Sequence, residues 1–292
     1  MCDEQTEQEN QALLKQAGGL TRRQFSTLAA GAGLAACLPG TVNAMSVSES
    51  DVKIPTPDGV ADAYFVHPAE GQHPGILIWP DILGLRPAFR QMGKRLAESG
   101  YSVLVVNPYY RSQPSPVVEP GAYFAQEETR NLVIPLAKSL NPETHVIDAR
   151  AFTAFLDVQS AVDTQRKLGT TGYCMGGPIT MRTAAAVPGR VGAAASFHGG
   201  GLVTDDENSP HLLIPKMQSS YLIAIAENDD LRAPQVKGVL QEGFAAAGLP
   251  AEIEVYTGAM HGWCPPDSQV YNEAQAERAW SRLLALLETA LA

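Results

Sequence analysis

The chain has 292 residues, with 31 acidic and 21 basic side chains, a formal net charge of −10, 45% hydrophobic residues and 18% charged ones. So much apolar material with so little charge excludes a disordered chain and suffices for a substantial core. The acidic balance and the absence of a basic stripe exclude the electrostatic footprint of a nucleic-acid binder, while leaving a small uncharged ligand unaffected.

Residues 1–44 carry the pattern of an export leader. Arg22 and Arg23 precede a small apolar run over 27–38, and Val42-Asn43-Ala44 supplies the small residues of a cleavage site after Ala44. The arginine pair fits twin-arginine export, a route for folded proteins, and places the mature chain in the periplasm or otherwise outside the cytoplasm. The apolar run is shorter than the ~20 residues that span a bilayer. An alternative at the same place is a lipoprotein signal, Leu34-Ala35-Ala36-Cys37, lipidated at Cys37.

Residues 45–292 read as one α/β domain. Strand-like runs at 75–78, 103–106, 167–171, 221–226 and 251–256 alternate with helical patterns at 87–99, 149–167, 178–186, 234–247 and 272–291. The Pro-rich stretch 113–121 is expected as a loop leading into a helix that borders the active site. This alternation predicts a mostly parallel sheet covered by helices on both faces.

The segment Gly172-Tyr173-Cys174-Met175-Gly176-Gly177 lies between an expected strand and a helix with Pro178 in its first turn. It reads as a nucleophile elbow with cysteine in the place of the usual serine. Glycines two before and two after the nucleophile let the chains pass where a Cβ would clash. A helix N-terminus beside Cys174 favours thiolate over thiol.

An elbow of the α/β-hydrolase type is followed in chain order by an acid and then a histidine, each at a strand's C-terminal end. Glu227-Asn228-Asp229-Asp230 follows the strand at 221–226, and His261-Gly262-Trp263 lies beyond the strand at 251–256. The expected triad is therefore Cys174, Asp229 and His261, with Asp229 preferred over Asp230. A thiol whose ordinary pKa is near ~8.5 needs a base or a favourable field to attack a carbonyl. His261 would supply the base and Asp229 would orient and charge-stabilise its ring.

These motifs, with Trp79-Pro80-Asp81-Ile82-Leu83-Gly84-Leu85 and Asn107-Pro108-Tyr109-Tyr110-Arg111, resemble the dienelactone hydrolase family from about residue 52 to the C-terminus. The resemblance implies an α/β-hydrolase fold and hydrolysis of small esters or lactones through an acyl-cysteine intermediate, without cofactor or metal. It implies that Asp81, where family members often carry glutamate, contacts and helps ionise the thiol. It further implies that the backbone N–H groups of Ile82 and Met175 form the oxyanion hole. The arginine that dienelactone-specific members place after the histidine is missing, since 263–267 reads Trp-Cys-Pro-Pro-Asp; Arg130 is the candidate cation from elsewhere. Trp263 and Tyr109 are the expected aromatic substrate contacts.

Other readings are a thioesterase or acyltransferase of the same fold, a non-catalytic small-molecule binder, and a redox sensor at Cys174. A Cys174–Cys264 disulfide would consume the nucleophile. A metal site of Cys174, His261 and Cys264 lacks the paired-cysteine spacing of ordinary zinc sites.

Overall fold

The computed structural model describes residues 4–16 and 44–292; Arg22, Arg23 and Cys37 of the expected leader lie outside the described residues. Helix α1 (Glu4–Gln16) precedes β1 (Val47–Thr56), β2 (Gly59–Pro68), β3 (Gly75–Trp79), α2 (Pro87–Glu98), β4 (Ser102–Val106), α3 (Glu127–Ser139) and α4 (Pro142–Asp157). There follow β5 (Leu168–Tyr173), α5 (Gly176–Ala186), β6 (Val191–Phe197), β7 (Ser220–Ala226), α6 (Glu227–Arg232), α7 (Gln235–Ala246), β8 (Ala251–Tyr256) and α8 (Glu273–Ala290).

The strands form one eight-stranded sheet in the order β1-β2-β4-β3-β5-β6-β7-β8. β1 pairs antiparallel with β2, and β2 with β4; every other pair is parallel. This is the expected α/β-hydrolase fold. Strands β3, β4 and β5 are buried along their whole length, as parallel strands covered on both faces must be, and their sequences are accordingly near-continuous apolar or small runs.

The core divides across the sheet. On one face Phe152, Leu156, Ile179, Leu240 and Phe244 bring α4, α5 and α7 against Leu77, Leu104 and Ile223. On the other, Phe89, Leu96, Leu283 and Leu287 bring α2 and α8 against Ile76, Val105 and Leu222.

Two expected boundaries move. The helix expected over 149–167 starts at Pro142 and ends at Asp157, because Asn141 and Thr144 close a reciprocal capping box around a Pro-led first turn. The helix expected over 178–186 begins at Gly176, and the acidic segment after β7 forms the short helix α6, whose first turn carries Glu227, Asp229 and Asp230 where the helix dipole favours negative charge.

Candidate active site

Parallel strands deliver their C-terminal ends to one edge of the sheet, and the site is assembled there from the segments following β3, β5, β6, β7 and β8. Cys174 follows β5 directly and adopts φ 52, in the left-handed region that costs a non-glycine residue of order 1–3 kcal/mol. Two glycines make the turn sterically possible. A Cβ on Gly172 would stand 2.0 Å from the Gly176 carbonyl oxygen, and one on Gly176 would stand 2.3 Å from the Trp79 carbonyl oxygen. The second contact draws the elbow onto the end of β3.

That approach sets Ile82 beside Met175. The Tyr109 hydroxyl donates to the Ile82 carbonyl at 2.9 Å and to the Met175 sulfur at 3.2 Å, tying the two segments together. Among the described residues no acceptor takes the backbone N–H of Ile82 or of Met175.

On the other side of Cys174, His261 Nδ1 is 2.7 Å from Asp229 Oδ2. The ring also hydrogen-bonds Cys174, which leaves Nε2 for the thiol. Burial works against a charge on this ring, but Asp229, Cys174 and the hydrogen bonds to both outweigh it and push His261 up to about 10. Burial likewise opposes charge on Asp229, yet the imidazolium holds its carboxyl below the usual carboxylate range. The two shifts agree on an ionised pair. The neighbouring carboxylate, Asp230, turns instead to Lys237 at 2.9 Å. The His261 loop is pinned by its own N–H, which donates to Asn228 Oδ1 at 2.9 Å.

Asp81, expected to reach the thiol when substrate arrives, is bound here to Arg86. Arg86 occupies both of its oxygens, at 2.6 and 2.9 Å, and the Leu83 N–H donates to Oδ1 at 2.9 Å. Its carboxylate is therefore committed to the guanidinium, although it lies close enough to Cys174 for the two charges to interact. Burial pushes the Asp81 carboxyl up and the guanidinium pulls it back, while Asp81 and Asp267 together raise Arg86 despite its own burial. We assign the pair as ionised, since a guanidinium with bidentate carboxylate partners keeps its proton. Arg86, the residue that precedes Pro87 at the start of α2, also reaches Asp267 with Nε and Nη2 at 2.7 and 3.0 Å.

The cavity above Cys174 is bordered by Asp81, Ile82, Arg86, His198, His261 and Asp267, with Tyr123, Phe124 and Val270 as apolar wall. Three expected substrate contacts do not border it. Tyr109 is buried beneath, spending its hydroxyl on Ile82 and Met175. Trp263 is fully buried, its ring stacked on Tyr256 and edge-on to His198. Arg130 turns back on its own chain, donating to the Ala125 carbonyl. Cys174 and Cys264 form no disulfide with each other and belong to core clusters on opposite faces of the sheet.

The sequence reading missed three features of the site. Arg86 and Asp267 look like ordinary surface charges in one dimension, and His198 carries no motif of its own. Helix α1 was also unforeseen at the site: Thr6, Glu7 and Asn10 border the cavity. Asn10 Nδ2 donates to the His261 carbonyl at 3.1 Å, and Glu9 accepts from Arg232 at 2.6 Å and from Asn228 at 3.2 Å.

Residues 61–291 match the dienelactone hydrolase family. A relative from Methylorubrum extorquens, provisionally named a carboxymethylenebutenolidase, is 30% identical over 248 residues, covering 80% of this chain and 78% of its own. A carboxymethylenebutenolidase from Pseudomonas putida is 26% identical over 220 residues, covering 75% and 87%. The crystal structure of a provisionally named dienelactone hydrolase from Klebsiella pneumoniae is similar in fold, with TM-score 0.71 and 22% identity over 83% of this chain and 99% of that one.

The Asp81–Arg86 pair is the costliest polar contact of the site to break. The side chains of Asp81 and Arg86 are 12% and 6% exposed, whereas Asp267 at 42% keeps much of its hydration. Arg86→Met should therefore cost about 3 kcal/mol at neutral pH, chiefly by leaving Asp81 charged and unpaired. The unpaired carboxyl titrates upward, so the deficit relative to wild type should narrow as pH falls; urea denaturation at several pH values measures it, and a pH-independent deficit would contradict the charge argument.

Proposed function

Because the chain belongs to the dienelactone hydrolase family and is a hydrolase of that kind, we propose that it cleaves small esters or lactones through Cys174, His261 and Asp229. The observation that carries this reading is the continuous thiol–imidazole–carboxylate chain beneath two uncommitted backbone N–H groups. Cys174 attacks the carbonyl carbon, and the N–H groups of Ile82 and Met175 stabilise the oxyanion. The His261 imidazolium then protonates the leaving oxygen as its bond to carbon breaks. In the second half, His261 takes a proton from water, the hydroxide oxygen adds to the acyl carbon, and the thiolate departs.

The charge around the cavity favours an uncharged acyl group. Arg86 is the only lysine or arginine among the described residues bordering the cavity, and its donors are spent on Asp81, Asp267 and the Gly84 carbonyl. A substrate carboxylate would meet Asp81, Asp267 and Glu7 with no free cation to pair it.

Intact-protein mass spectrometry during turnover of small activated esters and lactones tests the proposal. A transient acyl adduct is expected on the wild-type protein and not on Cys174→Ala, with turnover falling by roughly 10³-fold or more in that variant. Hydrolysis by Cys174→Ala at the wild-type rate would sink the assignment.

The pH profile tests the imidazolium. Since Asp229 helps push His261 up to about 10, kcat/KM should fall along an alkaline limb near that pH as the ring loses its proton. Removing the carboxylate charge leaves burial, which lowers this pKa, less opposed. The residual activity of Asp229→Asn should therefore show its alkaline limb at lower pH, towards the ~6.5 of an ordinary histidine. An unmoved limb would assign it to another group.

We further propose that residues 1–44 act as a twin-arginine export leader cleaved after Ala44, which would remove α1 from the mouth of the site. Among the described residues, α1 meets the site through the hydrogen bond from Asn10 to the His261 carbonyl and those from Arg232 to Thr6 and Glu9. Protein beginning at Met45 should keep the fold, since residues beyond Ala44 pack both faces of the sheet, and show a higher kcat/KM than the full chain. Equal values in a direct comparison would mean that α1 does not obstruct substrate.

A further inference from the structure

His198 follows β6 immediately, beside the turn that carries Cys174. The β5–β6 register pairs Tyr173 with Phe197, and the Cys174 N–H continues it by donating to the Phe197 carbonyl at 3.0 Å. His198 is in turn anchored by its backbone N–H on the Ala224 carbonyl at 2.8 Å. Its ring is edge-on to the His261 ring, with centroids 5.0 Å apart, and edge-on to Trp263 at the same separation.

Two features of this residue burden the fold. With φ 41 it is one of two non-glycine residues at positive φ among the described residues, the other being Cys174 itself. It is also 1% exposed, and beyond a contact with its own backbone its ring nitrogens have no hydrogen-bond partner among the described residues. A phenylalanine would make the same ring contacts without burying a donor and an acceptor unpaired. A strained, buried, unpaired polar ring on the wall of the cavity is what a ligand-binding role requires and what packing alone does not.

The sheet order says which part of a substrate it meets. β3 and β6 flank β5 on opposite sides, so the Ile82 segment lies on one side of Cys174 and His198 on the other. With the carbonyl oxygen directed to the Ile82 and Met175 N–H groups, the alcohol-side oxygen is directed towards the two histidines. Resting on the thiol-esterase reading above, we propose that His198 is a further catalytic residue whose ring N–H donates a hydrogen bond to the leaving oxygen of the substrate.

The step balances without a second proton transfer. The sulfur–carbon bond has formed, the carbon–oxygen bond breaks with its electron pair on oxygen, and the His261 imidazolium delivers the proton that yields the alcohol. The His198 N–H stays covalent on its ring and stabilises the oxygen while its charge builds. Burial and the neighbouring His261 charge hold His198 well below the ordinary histidine range, so it remains a neutral donor beside the imidazolium.

Hydrolysis by the full chain of two esters sharing one acyl group, an ethyl ester and a p-nitrophenyl ester, tests the proposal. Nitrophenolate leaves without assistance, whereas ethoxide does not. His198→Phe should lower kcat/KM for the ethyl ester by roughly 10- to 100-fold while changing the p-nitrophenyl value little, with Tm unchanged or raised. His198→Gln, which restores an N–H donor, should recover part of the ethyl-ester loss. Equal losses on both esters, or no loss on the ethyl ester, would overturn the role of His198 while leaving the thiol-esterase reading intact. Wild-type protein inert towards both esters, or Cys174→Ala as active as wild type, would overturn that reading and this inference with it.

Discussion

The close approach of Gly176 to the Trp79 carbonyl is the constraint on which the site depends. A turn from a buried parallel strand into a helix has to pass the neighbouring strand end, and here it does so at a separation that excludes any side chain. Cys174 is driven into the left-handed region by that passage, which lifts its thiol from the strand end into the cavity. The same passage brings the backbone after β3 alongside the backbone after β5. Ile82 and Met175 thus lie on adjoining segments, with Tyr109 bonded to both as a tie. Strain at the elbow is offset by the rigid sheet around it, where β5 pairs with β3 on one side and β6 on the other.

Charge in the site is partitioned into two buried pairs with different freedoms. Arg86 is surrounded by acceptors on fixed elements and has no donor to spare, so its role is to hold the segment after β3 in shape and to neutralise Asp81. His261 sits between Asp229 and Cys174, two groups of which one changes charge during acyl transfer on the proposed mechanism. Its raised pKa is the signature of a proton kept in place between partners. An arginine could not serve there, because it does not give up its proton. His198 completes the contrast: an imidazole held neutral by burial, with no other residue among those described bonded to its ring nitrogens.

Helix α1 stands apart from these arrangements. Its side chains reach the site through Thr6, Glu9 and Asn10, and their partners belong to α6 and the His261 loop, the segments that position the imidazole. Cleavage of the leader proposed for residues 1–44 would release these contacts from the mouth of the site.

The α/β-hydrolase fold was legible because its signals are local and periodic. Continuous apolar runs bounded by turn residues mark buried parallel strands, and Asn272 marks a helix start by a hydrogen bond that spans three residues. The glycine spacing around Cys174, and the positions of Asp229 and His261 just past strand ends, were readable for the same reason: a parallel sheet places every strand's C-terminal end on one edge, so order along the chain implies proximity in space. Trp263, Tyr109 and Arg130 were misjudged as substrate contacts because residue type says nothing about which way a side chain faces. Tertiary packing turned the first two inward and the third back onto its own chain. Arg86 meets Asp267 across 181 residues, and His198 owes its place beside His261 to strand order and not to any neighbour in sequence. The sequence by itself therefore determined the scaffold and the chemical elements at its edge. The three-dimensional chain decided which charges are spent on one another and which polar atoms remain for a ligand, because those outcomes depend on burial and long-range contact that no local pattern encodes.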